Sequence, residues 1–489
     1  VIYARTDHNT SICATRSTGA REPGTNGHQE LIDAQAKYFE DNDQFLETLH
    51  NHYSAFPIHQ VNIYDLARDR HADPHPKRAL RIAAFAEMEA DGAYTESVWL
   101  RDVTGKIKAN EWAKPGKDPR FIGDLGVIAS LEGAWITGIL KDLQTYLRFI
   151  DGQRLRIVKQ ADTEVITEVF NEAIDPGTKY YGAFFSDDGL ITVLDKHGVR
   201  RLFLTDISKC DKSHASIFRS LIRSAPTPLQ EGTERVVKQL KKPLVVRSLV
   251  DRSIKVKLFL TTEDPLLLSG STITTVVNNH AAINIYHQII LDGAETAEAI
   301  ALAARKVGYI LTVEEVPDVS KLQFLKHSPV RDVRGELHAV LNLGVFLRAS
   351  GTCKGDLPGK SSDGLEKRAR TFQRALLEGM YPRISNPFLD ACKNATGVDV
   401  VPTCFSSIVA KELAHKTSTR KSHITVSNEE LFRRYDLDAC EALDLTDFSE
   451  SGYSYFHNSP GLSKVLKLDY GLECCDRTGD LPTSFLWRR

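Results

Sequence analysis

Three aspartates and a glycine loop supply the residues of this chain best suited to chemistry. The apolar run Gly182-Ala183-Phe184-Phe185-Ser186-Asp187-Asp188-Gly189-Leu190-Ile191-Thr192-Val193 is interrupted by a Ser-Asp-Asp step, which predicts a β-hairpin with paired acids at its tip. Further on, Arg201-Leu202-Phe203-Leu204-Thr205-Asp206 predicts a strand ending in a third acid, with Asp211 five residues later. In-line attack of a hydroxyl on a phosphoryl group needs dense negative charge to hold two divalent ions about 3.5–4 Å apart. Asp187 and Asp206, with Asp188 beside them, are of the type that supplies it. The stretch Leu267-Leu268-Ser269-Gly270-Ser271-Thr272-Ile273-Thr274 predicts a glycine loop running into a helix. Thr274 and Asn278 then share one helix face. With Asp211 opposite, that hydroxyl and amide form a donor and acceptor set suited to a sugar 2′-hydroxyl. Each feature alone has an ordinary reading, since paired acids form turns and Thr/Asn faces meet water.

The elements that must position these residues are read from periodicity. Residues 1–30 lack it and predict an extended arm, whereas 30–66 and 77–89 predict scaffold helices. The segment 106–126 gathers Lys106, Lys108, Lys114, Lys117 and Arg120 around a Pro-Gly turn, a basic loop suited to phosphate or simply to water. Helices are predicted over 128–149, 213–223 and 296–306, and a turn at Pro226 and Pro228. A basic stretch from Lys238 to Lys257 suits either a nucleic-acid backbone or a mixed exposed surface. Strands are predicted over 307–313 and 321–326, with helices dominating beyond His327, including 362–378 and 428–437.

Composition sets the bounds. The chain has 489 residues, enough for two to four subdomains around a shared cleft, and 42% apolar with 26% charged residues argues against wholesale disorder. A net charge of −2 excludes a global basic field, so a nucleic-acid site has to be a local channel. The eight cysteines are scattered without zinc-site spacing and predict reduced thiols in an intracellular compartment. No apolar run approaches the roughly 20 residues of a membrane span, and no transmembrane segment is expected. The start at Val1, lacking Met, reads as a processed or trimmed soluble chain.

Taken jointly, the blocks are more specific than any one alone. Asp206-x4-Asp211, Ser269-Gly270-x3-Thr274-x3-Asn278 and Ser186-Asp187-Asp188 resemble motifs A, B and C of viral RNA-dependent RNA polymerases. Lys114-Pro115-Gly116-Lys117-Asp118-Pro119-Arg120 resembles motif F, 308–321 motif D, and Phe324-Leu325-Lys326 motif E. Their order here is C, A, B, which resembles the permuted palms of permutotetraviruses and birnaviruses. Asp292-Gly293 is the rival location for motif C in the usual order. Ser186 stands where motif C more often has Gly, a small-for-small change.

The resemblance implies an α+β right hand with fingers, a palm built on an antiparallel sheet, and a helical thumb. Its parts would be an arm and scaffold helices over 1–90, fingers over 91–175, a palm over 176–330 with a fingers insertion at 212–265, and thumb and C-terminal region over 331–489. It implies template-directed nucleotidyl transfer from NTPs to an RNA 3′-hydroxyl with Mg²⁺ or Mn²⁺, held by Asp187, Asp188 and Asp206. Asp211, Thr274 and Asn278 would select ribose, and Ser269 and Gly270 would shape a mobile loop. Lys114, Lys117 and Arg120 would meet the triphosphate and template, and Lys106, Lys108 and Lys326 the RNA and primer. Lys321 would protonate pyrophosphate. Expected partners are RNA template and primer, NTPs and other viral replication proteins, with the virus-encoded chain in the host cytoplasm or the virion. The rival from another class is a catalytically silent RNA-binding replication scaffold of the same shape. A reverse transcriptase is disfavoured by Asp211, where an aromatic gate is usual, and a phosphohydrolase would not need the sugar-reading face.

Overall fold

A computed structural model of the chain describes residues 11–14, 27–58, 83, 103–107, 120–241, 244–247, 257–260, 267, 269–350, 374, 376–395, 423–451 and 460–471. Its centre is a meander of three antiparallel strands: β5 (Tyr180–Phe185), β6 (Asp188–Leu194) and β7 (Arg200–Ile207). The sheet grows to six strands in the order β10-β7-β6-β5-β4-β3. β10 (Leu311–Val316) is antiparallel to β7; β4 (Gln153–Ile157) is parallel to β5 and carries the short edge strand β3 (Phe149–Ile150). The predicted turn between β6 and β7 forms. The Asp195 carboxylate accepts the N–H groups of His197 and Val199, and Gly198 takes a φ of +76°.

The near-continuous apolar runs of β5 and β6 follow from burial on both faces. On one face Tyr180, Phe184, Ile191, Val193 and Phe203 enter the main core with helix Thr274–Asp292. That helix packs so closely that a Cβ on Gly182 would meet the Tyr286 ring at 2.9 Å. On the other face Tyr181, Ala183, Leu190 and Leu202 pack with helix Thr163–Ile174, which Asp162 caps by accepting the N–H groups of Glu164 and Val165. A second sheet, β2-β1-β8-β9, joins β2 (Phe121–Asp124) and β1 (Val103–Ile107) to β8 (Leu244–Arg247) and β9 (Lys257–Leu260). A third core gathers the C-terminal elements, with Leu343, Tyr381, Phe388, Phe432, Leu445 and Val465 at its centre.

Several expectations change. The N-terminal helical region divides into Gly27–Asp41 and Asp43–Ser54. Helix Val127–Tyr146 ends before Phe149, which starts β3. The helix predicted at 213–223 is Ile217–Ser224, after a 3-10 turn at Cys210–Lys212. The expected turn at Pro226 and Pro228 is the start of helix Thr227–Leu240, where proline in the first turn loses no needed N–H. The strand predicted at 307–313 begins later, because Gly308 at φ +81° closes helix Ala297–Lys306 first.

Residues 321–326 are not a strand. A 3-10 turn, Val319–Lys321, leads into a tight reversal with Leu325 and Lys326 at φ +52° and +64°. Beyond it comes not helix but the hairpin β11 (His327–Arg331) and β12 (Leu337–Leu341). The helix expected over 428–437 is Asn428–Phe432 followed by a 3-10 turn, Arg433–Tyr435. The helices expected over 77–89 and 362–378 lie largely outside the described residues, as do Lys108, Lys114, Lys117 and most of the arm. Among the described residues no helix is long and apolar enough to cross a membrane. Cys13, Cys210, Cys392 and Cys440 form no disulfide.

Candidate active site

The β5–β6 hairpin turns through Ser186 and Asp187, because Phe185 pairs with Asp188. Ser186 has a φ of +60°, the left-handed region where glycine is the usual residue. Its side chain explains the exception. The Ser186 hydroxyl accepts a hydrogen bond from Asn278 Nδ2 at 2.9 Å, and its N–H donates to Asn279 Oδ1 at 2.8 Å. Serine here is thus not a neutral replacement for glycine, since it ties the hairpin to the helix.

In the register of β6 and β7, Asp188 stands directly opposite Asp206. Like charges in that position destabilise a sheet, so their presence needs another reason. Asp187 is half-buried in the turn, while Asp188 and Asp206 each keep an exposed edge. The Asp188 carboxyl is nevertheless pushed up to about 7. Protein packed beneath it is the main cause, then the charges of Asp187 and Asp206, with Lys326 opposing. The Cys210 thiol is pushed well up by burial and then by Asp187, Asp211 and Asp206, with the Arg120 guanidinium opposing. The three strand-end acids, Asp211 and Arg120 therefore share one electrostatic neighbourhood.

The glycine loop packs against β2. The Gly123 N–H donates to the Ser269 carbonyl at 3.1 Å, and the Leu267 N–H to the Asp211 carbonyl at 3.0 Å. Gly270 has a φ of +105°, and a Cβ there would come within 2.8 Å of Ile122 and 2.9 Å of the Gly123 oxygen. Only glycine meets both demands. Among the described residues the buried hydroxyls of Ser271 and Thr272 have no hydrogen-bond partner, and the Thr274 hydroxyl donates to the Ser271 carbonyl at 2.9 Å. Arg120, just before β2, lies beside this loop in the fold.

Asn278 departs from the expectation of a freely presented amide. It is 3% exposed, and its Oδ1 accepts from the Cys210 thiol at 3.2 Å and faces His214 Nε2 at 3.0 Å. Sequence reasoning missed these partners, and also Asn279 and Gln144. Asn279 Nδ2 donates to Gln144 Oε1, and Gln144 Nε2 to the Val276 carbonyl. Polar residues inside an otherwise apolar helix were the one available signal.

Lys321 is held elsewhere. Its ammonium donates to the Arg434 carbonyl at 2.6 Å and pairs with Asp436, so the geometry engages it with the C-terminal core and not with the acids. Lys326, by contrast, reaches the acids electrostatically while donating to the Asp469 carbonyl at 2.8 Å and lying over the Tyr470 ring. Lys106 sits on β1, and its side chain lies outside the described residues. Asp292 ends the helix on which Asn278 lies, roughly 21 Å farther along its axis at 1.5 Å per residue, and pairs with Lys306 at 2.8 Å. The rival location for motif C is therefore remote from Asp206.

Hard carboxylate oxygens on a turn and an adjoining strand, repelling one another, are a donor set that suits Mg²⁺ or Mn²⁺. A second group of possible ligands, Asp332, Glu336 and His338, has ligand atoms within 4.8 Å of one another. In that second group Asp332 Oδ1 accepts the N–H groups of Arg334 and Glu336, which closes the β11–β12 turn.

No family model and no curated protein matches the chain. Several solved structures superpose on it in part, among them two viral proteins. The birnavirus VP1–VP3 complex aligns with a TM-score of 0.40 and 10% identity over 72% of this chain and 48% of that one. The RNA polymerase VP1 from infectious pancreatic necrosis virus aligns with a TM-score of 0.40 and 9% identity over 93% and 57%. The chain spans about half the length of these two proteins.

Proposed function

We propose that the chain is an RNA-dependent RNA polymerase that adds NTPs to an RNA 3′-hydroxyl on an RNA template, through a palm whose motifs run C, A, B. The observation that carries this reading is the register of β6 on β7, which sets Asp188 against Asp206 beside Asp187, with the Asn278–Ser186 bond bracing the turn. A scaffold without chemistry has no use for acids that repel one another at a strand end.

In this reading the six-stranded sheet and helix Thr274–Asp292 are the palm, the β1–β2–β8–β9 sheet belongs to the fingers, and the C-terminal core is the thumb. Asp187 and Asp206, assisted by Asp188, would hold Mg²⁺ or Mn²⁺, which when bound activates the attacking hydroxyl and offsets charge on the departing pyrophosphate. Arg120, with Lys114 and Lys117, would draw in the triphosphate, and Lys326 would meet the primer end. Asp211, Thr274 and Asn278 would address the sugar, and Ser269 and Gly270 would shape the loop beneath it. RNA and other replication proteins are the partners that this activity requires. Lys321 is left out of the chemistry because Asp436 already holds it.

The test is extension of a labelled RNA primer on an RNA template with NTPs and Mg²⁺ or Mn²⁺. Asp187→Ala and Asp206→Ala should each lower the rate on the order of 1,000-fold, the loss of several kcal/mol of charge stabilisation. Asp292→Ala should leave it nearly unchanged. Activity that survives Asp187→Ala and disappears with Asp292→Ala would overturn the permuted order, and an inactive unmodified chain would favour the scaffold.

A further inference from the structure

A buried polar cluster behind Asn278 takes no part in the chemistry above. Cys210, His214 and Tyr309 are 8%, 2% and 0% exposed, and they come from the 3-10 turn after β7, the following loop and the turn that closes helix Ala297–Lys306. Asn278 Oδ1 accepts a hydrogen bond from the Cys210 thiol at 3.2 Å and lies 3.0 Å from His214 Nε2, so both of its lone pairs are engaged. An amide oxygen only accepts, which requires the proton of neutral His214 to sit on Nε2. The other ring nitrogen, Nδ1, is then an acceptor, and the Tyr309 hydroxyl lies 2.9 Å from it. On the far side, Asn278 Nδ2 donates one hydrogen to Ser186 Oγ. The chain Tyr309, His214, Asn278, Ser186 thus runs from the core to the tip of the acid hairpin.

We infer that His214 is a positioning residue for sugar recognition. It holds the Asn278 carboxamide oxygen-inward, so that what Asn278 offers an incoming nucleotide is its remaining N–H. This deepens the polymerase reading and rests on it. The nucleotide selected is one whose 2′ substituent accepts a hydrogen bond, and Tyr309 enforces the choice from a distance by fixing the tautomer of His214. If the amide turned over, its oxygen would face Ser186 and the sugar, and the donor would be lost. A residue serving only to fill the core would affect all nucleotides alike.

The experiment is single-nucleotide extension with UTP, 2′-fluoro-dUTP and dUTP, comparing kcat/KM ratios for the unmodified chain, His214→Leu, His214→Gln and Tyr309→Phe. The unmodified chain should prefer UTP, then the 2′-fluoro nucleotide, then dUTP. His214→Leu should lower the UTP to dUTP ratio roughly tenfold, the worth of about one hydrogen bond, and Tyr309→Phe should lower it in the same sense. His214→Gln, whose amide can still donate toward Asn278, should keep most of the preference. If His214→Leu fails to fold, Tyr309→Phe decides, since it removes one oxygen and keeps the ring. Equal losses with all three nucleotides and an unchanged ratio would overturn the inference and leave the polymerase reading intact. An unmodified chain that uses UTP and dUTP equally would have the same effect. An unmodified chain that extends nothing removes the reading, and the inference falls with it.

Discussion

Asp188 subtracts from stability where it stands, since it faces Asp206 across the strand pair and holds its proton up to about 7. In the unfolded chain it would titrate near the usual carboxylate value. Between those values the folded chain carries the extra proton. The stability this gives is full below the unfolded pKa and is lost as pH rises through 7. Asp188→Asn should therefore stabilise the chain at pH 8, by about 1 kcal/mol once solvent screening at its exposed edge is allowed for, raising the thermal midpoint there and much less at pH 4. A midpoint at pH 8 no higher than that of the unmodified chain would contradict the repulsion argument. Mg²⁺ or Mn²⁺ should stabilise the unmodified chain and fail to stabilise Asp206→Ala, a readout independent of catalysis. His280 titrates in the opposite sense. Fully buried, with Nε2 against the Ser220 hydroxyl, its imidazole is driven down to about 3 by burial. The unfolded chain takes up a proton below about 6.5 that the folded chain refuses, so stability falls as pH drops from there toward 3. The slope approaches about 1.4 kcal/mol per pH unit from this one group. Urea denaturation of His280→Leu between pH 6 and 4.5 should show a slope shallower by about that amount.

Among the elements, the β5–β6 turn combines strain with a tether. Ser186→Gly relieves the left-handed backbone and loses the hydroxyl bond to Asn278, two effects of about 1 kcal/mol that oppose. Ser186→Ala loses the bond and keeps the strain. Denaturation should find the alanine variant less stable than the glycine variant by about 1 kcal/mol, and equal stabilities would mean that the turn has relaxed. This hairpin, the Asp206 strand and the loop at Ser269 and Gly270 were legible in the sequence because period and turn chemistry are local signals. The reversal at Leu325 and Lys326 was not, since neither is a residue that favours positive φ. The role of Asn278 was only half legible. Its partners Cys210, His214 and Ser186 lie 64 to 92 positions away, and no local pattern announces a buried amide's neighbours. Lys321 misled for the same reason, as Asp436 is 115 positions distant.

At the scale of the molecule, a buried ion pair helps bind the C-terminal helices to the segment beside the acids. Asp469, on helix Pro460–Tyr470, is buried and accepts from Arg434 Nε at 3.0 Å, Gly344 N at 2.9 Å and the Tyr435 hydroxyl at 2.9 Å. Arg434 also donates to the Lys321 carbonyl at 3.0 Å and to Gln323 Oε1 at 3.0 Å. Asp469→Ala strands that guanidinium and should cost about 3–5 kcal/mol. Hydrogen exchange should then quicken in 321–327 as well as in 343–347, and a loss confined to the C-terminal helices would refute the coupling. The meander of β5, β6 and β7 has a consequence of a different kind. Asp187, Asp188 and Asp206 lie within twenty residues on consecutive strands, whereas Asn278 follows Asp206 by seventy-two. Contacts that close in sequence form early, and during synthesis the N-terminal part folds first. The ribosome therefore releases the three acids before it has made the helix that braces them. Whatever pairing β6 and β7 make in that interval has to hold two facing carboxylates together without the Asn278 bond to the turn between β5 and β6.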